Sequence, residues 1–412
     1  MLFIHGNADT AALWIPTIWR FESNFYPRAR LFAVDMRLPA ARRDDSVRDP
    51  GRSSAAEATA QLAQEVARIR RATGVDRLVL VAHGRAGNTA RNLLHDGDPR
   101  LKVAILCASP SHGMIVSTSH MAGSEFNGAA PFLRRLNALP GEVPPGTPIF
   151  TLASDAMDMW AQPDGRFLGL PGEPTGIAAT GPALRGATNI VLPGADHLEV
   201  AYSADSFAEM YRIITGDRPQ ATRVRPEVKP TLNGRVTGFE AGSPTNIGLS
   251  GARVRLFATN PATGQRLGPE RHAQVTAADG QWGPFEGDSE VSYEIELAVR
   301  GYPVTHIYRP PFLRSSEHVH LRPYLPTPAD PQQGALVVVT RPRGFFDFGR
   351  DRIVIGSQDI AGEPGVPHEN SLRVALPQGP TTTLAVEYNG ESRAGRTWPI
   401  AERHVSIIEV GE

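Results

Sequence analysis

Leu-Val-Leu-Val-Ala-His-Gly-Arg-Ala-Gly-Asn-Thr-Ala-Arg occupies residues 78–91, an apolar run that passes through a cluster of small residues into a segment of helical character. A continuous apolar run bounded by glycine reads as a strand buried on both faces, and the segment after it reads as a crossover helix. Between such a strand and helix, the pattern G-x-S-x-G places a serine nucleophile on a strained turn, with small neighbours where the backbone leaves no room for larger ones. The five positions here are Ala82, His83, Gly84, Arg85 and Ala86, so Gly84 stands where the serine would be.

The chain has 412 residues, 41% hydrophobic and 21% charged, which suits a soluble globular protein of two or three domains. A net charge of -1 gives no concentrated basic surface, so neither nucleic acid nor an anionic membrane is expected as a partner. Lys102 and Lys229 are the only lysines, the other basic residues being arginine. Cys107 is alone, which excludes an intrachain disulfide and a cysteine-held metal, and it reads as a small buried hydrophobe. No window has the run of apolar residues of a transmembrane helix, and the first residues lack a signal-peptide pattern. Localisation and oligomeric state are left open.

Working outward, strand and helix signals alternate through the first half. Strands are expected at 2–5, 31–35, 78–82, 103–107, 149–153 and 189–192, and helices around Trp14 to Trp19, at 54–73, 88–94 and 206–214. The expected fold is therefore α/β, a doubly wound and mostly parallel sheet, over residues 1–217. The long 109–145 stretch inside it reads as a lid or binding wall. Residues 218–230 form a Pro-rich linker. Beyond it a period of two replaces the helical period, giving an all-β module over 231–324, a second break at 325–333, and another β module over 334–412. One larger β domain is the competing division.

Three further stretches bear on chemistry. His197 lies in Pro193-Gly-Ala-Asp-His just past the last strand, as a proton-accepting base requires. Asp158, past the strand at 149–153, is the expected carboxylate for that base, with Asp155 as runner-up and Asp164 behind both. His5-Gly6-Asn7 follows the first strand, so the backbone N–H groups of Asn7 and of Arg85 are the expected oxyanion donors. The order nucleophile position, acid, base separates this arrangement from the chymotrypsin and subtilisin orders. His318 and His320 alternate in Glu317-His-Val-His, but without a placed third ligand they read as surface residues, and no metal is expected. No glycine pattern for a nucleotide follows a strand, so no cofactor is expected.

With these residues in hand, the chain resembles the lipases and carboxylesterases of the α/β-hydrolase superfamily. More narrowly, it is similar to polyester-degrading esterases and to an archaeal long-chain lipase with C-terminal β domains. Phe3-Ile-His-Gly-Asn-Ala-Asp-Thr-Ala-Ala-Leu-Trp, Gly123-Ser-Glu-Phe-Asn-Gly, Ala161-Gln-Pro-Asp-Gly and Pro193-Gly-Ala-Asp-His carry that likeness over residues 1–216. Thr276-Ala-Ala-Asp-Gly-Gln-Trp-Gly-Pro resembles carboxypeptidase-regulatory-like sandwiches. The resemblance implies hydrolysis of apolar carboxylic esters or polyesters, an exported protein, and catalytic roles for His197 and Asp158. It carries no role to Gly84, where its members have serine. A severely impaired hydrolase is therefore expected, the alternative being a non-catalytic acyl-ligand-binding or surface-binding protein on a hydrolase scaffold.

Overall fold

The computed structural model describes residues 1–97, 100–138 and 141–411. Leu139 and Pro140, inside the expected lid or wall, and Glu412, the end of the expected second β module, lie outside the described residues. The chain forms two compact units, Met1–Val224 with Phe239–Asn246, and Arg225–Gly238 with Ile247–Glu412.

The first unit is built on six strands, β1 (Leu2–Ile4), β2 (Phe32–Val34), β3 (Leu78–His83), β4 (Leu101–Cys107), β5 (Ile149–Ser154) and β6 (Thr188–Leu192). They lie in the order β2-β1-β3-β4-β5-β6, and every neighbouring pair is parallel. Side chains alternate along each strand, which splits the apolar residues between two cores. Leu2, Ile4, Leu80, Ala82 and Leu106 pack with Leu62, Val66 and Ile69 of helix α2 (Ala55–Thr73) and Leu93 of helix α3 (Arg85–His95). Phe3, Val81, Ile105 and Cys107 turn the other way, against Ile18 and Phe21 of helix α1 (Ile15–Ser23) and against Phe207 and Met210 of a closing helix, Ala204–Thr215. Helices thus cover both faces, as the doubly wound reading requires.

Local signals explain the ends of α2. Ser54 accepts from the Glu57 N–H while Glu57 accepts from the Ser54 N–H, and Gly74 closes the helix at φ +69°. Helix α3 begins at Arg85, three residues before the expected start, because Gly84 turns the chain in a single step.

The second unit is mostly antiparallel β. Its largest sheet has seven strands, in the order 272–275, 253–259, 292–298, 304–309, 404–409, 335–340 and 371–376. The pairs 304–309/404–409 and 404–409/335–340 are parallel. This sheet takes strands from both sides of the 325–333 break, so the modules expected over 231–324 and 334–412 share one sheet. Val337, Val339 and Ile408 of that sheet pack against Ile353, Val386 and Tyr388 of a four-stranded sheet. No described helix is long and apolar enough to cross a membrane.

Candidate active site

Gly84 carries φ +52° and ψ −120°, and its N–H donates to the Cys107 carbonyl at 2.8 Å. A Cβ built on this backbone would stand 3.5 Å from His197 Nε2 and 3.7 Å from Gly6 Cα, both ordinary contacts. The strand-to-helix turn therefore aims the side-chain direction of residue 84 at the His197 imidazole.

His197 is carried by the loop after β6, which is tied on both sides. Ser154 donates to the Ala195 carbonyl at 2.5 Å, the Gly194 N–H donates to Asp155 at 2.9 Å, and Asp196 accepts from the N–H groups of Leu198 and Glu199. On its far side the His197 ring presents Nδ1 to Asp158, 2.9 Å from one carboxylate oxygen and 3.1 Å from the other. Asp158 is buried, and it also accepts from the Trp160 N–H at 2.8 Å. Burial opposes charge on both partners, and the attraction between them outweighs it. His197 is accordingly held above the usual histidine range and Asp158 below the usual carboxylate range.

The structure thus brings together Gly84, His197 and Asp158. Asp155, the runner-up acid, is elsewhere, fastening the His197 loop through Gly194 and accepting from the Met157 N–H. Asp164 accepts from Arg166. Asn7 sits in the turn after β1, where its side chain accepts from the Ala41 N–H at 2.8 Å and Ala8 takes φ +60°. Arg85 is the first residue of α3, in the turn whose N–H groups have no partner within the helix.

Several residues of this neighbourhood carry no legible signal in the sequence. The Arg85 guanidinium is buried and makes a two-pronged pair with Glu125, with further bonds to Pro39 and Ser53. Arg91, also buried, donates to the carbonyls of Ser111 and Glu142 and to the side chain of Asn137. Burial holds its pKa down to about 10. A cleft of about 250 Å³ includes Leu152, Trp160, Ile177, His112 and Asp158 in its lining, but neither Gly84 nor His197. His318 and His320 lie 5.8 Å apart, ring to ring, and His320 Nδ1 accepts from the Arg235 N–H at 3.1 Å.

Residues 1–135 match the family described as alpha/beta hydrolase fold, and residues 228–326 match the one described as Lipase C-terminal domain. Residues 1–135 thus have the α/β-hydrolase fold. The chain is similar in structure to the lin2722 gene product of Listeria innocua, at 15% identity over 54% of this chain and 95% of that one, with a TM-score of 0.38. It is also similar to the mature form of the Bacillus licheniformis lipase BlEst2, at 17% identity over 52% and 90% of the two chains and a TM-score of 0.36. The phospholipase PlaB of Legionella pneumophila is similar at 11% identity over 80% and 96%, again with a TM-score of 0.36. No curated protein matches the chain.

Proposed function

We propose that the chain hydrolyses apolar carboxylic esters, polyesters among them, slowly and without a covalent intermediate. In this reading His197 is the general base and Asp158 orients it. The observation that carries it is the 3.5 Å from the side-chain direction of Gly84 to His197 Nε2, with Nδ1 of the same ring on Asp158. Water beside Gly84 passes a proton to Nε2 as its oxygen bonds to the ester carbonyl carbon. The resulting oxyanion takes N–H bonds from Asn7 and Arg85. The carbon–alkoxide bond then breaks, the alkoxide recovers the proton from His197, and acid and alcohol leave. Loss of the serine from a comparable triad costs about a million-fold in turnover, while the anion donors and binding alone leave about a thousand-fold over water.

Hydrolysis of p-nitrophenyl butyrate and p-nitrophenyl palmitate tests this on the chain itself and on two variants. His197→Ala is expected to abolish the slow reaction, and Gly84→Ser to accelerate it by at least about a thousand-fold. Equal turnover by the chain and by His197→Ala removes the base from the mechanism. A second reading, capture of an acyl ligand without turnover, is favoured by Gly84 and by the apolar part of the cleft lining. It predicts fatty-acid binding together with no gain in a folded Gly84→Ser variant.

A further inference from the structure

His83 ends β3, immediately before Gly84, and its ring is wedged between two loops of the site. Nε2 lies 2.9 Å from the His197 carbonyl oxygen, and the two imidazoles meet edge to face with centroids 4.8 Å apart. On the other side of the ring, a Cβ at Gly6 would come within 2.6 Å of Nδ1, so glycine is what allows the turn after β1 to lie against this histidine. A carbonyl oxygen only accepts, which places the ring hydrogen on Nε2 and leaves Nδ1 as a bare lone pair. Nδ1 is buried and has no hydrogen-bond partner among the described residues. Protonating it would put an unpaired buried charge beside His197 and His5, against the attraction of Asp158, and burial with the His197 charge holds the ring neutral down to about pH 3.

We propose that His83 is a positioning residue, a spacer that donates to the His197 carbonyl and braces against Gly6, fixing the base and the turn after β1 at set distances around residue 84. This rests on reading His197 as the base. The spacer gives the base loop a contact from the sheet itself, independent of the Asp158 contact made by the side chain. Neutrality is part of the role, because a charged neighbour would oppose the proton that His197 takes up.

Two measurements separate this proposal from the reading beneath it. The first is an NMR titration of the His197 ring in the unmodified chain. A value no higher than an ordinary histidine, about 6.5, defeats the Asp158–His197 base pair, and the present proposal with it. The second compares His83→Met with His83→Gln, whose amide N–H falls near the place of Nε2. In His83→Met the His197 titration is expected to move down toward the ordinary value, and in the Gly84→Ser background kcat for p-nitrophenyl butyrate is expected to fall about tenfold or more with KM within about twofold. His83→Gln is expected to recover most of both. A folded His83→Met with unchanged titration and kcat overturns the proposal, as does a His83→Gln no better than His83→Met. If His83→Met fails to fold, His83→Asn takes its place, since its amide falls near Nδ1 and cannot reach the carbonyl. Equal behaviour of the Asn and Gln variants then overturns the spacer role.

Discussion

Arg85 and Glu125 meet in a buried, two-pronged ion pair, Nε to Oε1 at 2.7 Å and Nη2 to Oε2 at 2.9 Å. The pair fastens the first turn of α3 to the 109–145 stretch, where buried Asn127 also donates to the carbonyls of Ser117, His120 and Met121. This part of the stretch is thereby held as a wall beside the site. Removing one partner strands the other charge in the interior, so Glu125→Gln is expected to cost about 3–5 kcal/mol in urea unfolding. An apolar replacement of both, Arg85→Met with Glu125→Leu, is expected to cost less than Glu125→Gln alone. A double variant as unstable as the sum of the Arg85→Met and Glu125→Leu singles would show that the two side chains are not coupled and overturn this account.

The same turn predicts a conflict between activity and stability at residue 84. Its φ of +52° suits glycine, and a side chain there bears a conformational cost although no atom lies closer than 3.5 Å to the new Cβ. Gly84→Ser is expected to lower stability by about 1–2 kcal/mol while raising ester turnover. Calorimetry on the two proteins measures the first effect. A serine variant as stable as the parent would mean that the backbone relaxes away from this conformation, and the gain in turnover should then be absent as well.

An element is legible in the sequence to the extent that local forces set it. The runs at 78–83 and 101–107 are apolar because both faces of a parallel strand are covered, so their place in the sheet is legible from composition alone. The start of α3 is not, since the positive φ of Gly84 sets it and helix propensity does not. His197 is legible as the histidine after the last strand. The choice of Asp158 over Asp155 is not, because both follow β5 within four residues and the turn between them decides which one faces the ring. The Arg85–Glu125 pair joins positions with no periodic relation. In the second unit, alternation identifies strands and their faces, but not that 404–409 inserts between 304–309 and 335–340, which are far away in sequence.

Two histidines of the site give acid sensitivity of opposite sign. His83 is held down to about 3, so between about 6.5 and 3 the unfolded chain binds a proton that the folded chain refuses, and stability falls as pH falls through that window. His197 is held above its unfolded value, so its contribution is fully present below about 6.5 and is lost as pH rises through the folded value. Unfolding free energies from urea titrations across pH 3 to 6.5 are expected to fall toward acid by up to about 1.4 kcal/mol per pH unit from His83, a slope that His83→Gln should lack. An unchanged slope in that variant would assign the acid sensitivity to other groups. Ester turnover by Gly84→Ser should rise with pH through the elevated His197 value, since the base must be neutral to accept a proton.

In the second unit, Glu294 is fully buried and is held by three cationic or donor contacts: Arg266 Nη2 at 2.6 Å, Arg266 Nε at 2.8 Å on its other oxygen, and His306 Nδ1 at 2.7 Å. The network continues from His306 Nε2 to His404 Nδ1 at 2.8 Å, under the stacked ring of Trp398 at 4.2 Å. Glu294, Glu296 and His306 lie close enough together to hold a metal ion, yet Arg266 donates to both carboxylates and already supplies the positive charge there. Burial alone would push the Glu294 carboxyl up, and Arg266 with His306 reverse this and hold it below the ordinary range. Glu294→Gln keeps the shape and leaves Arg266 paired with Glu296, so a loss of about 1.5–3 kcal/mol is expected in the unfolding of this unit. Dialysis against a chelator is expected to leave its melting temperature unchanged, because the guanidinium and not an ion neutralises the site. A drop in melting temperature on chelation, restored by a divalent cation, would instead make this a metal centre with Arg266 displaced.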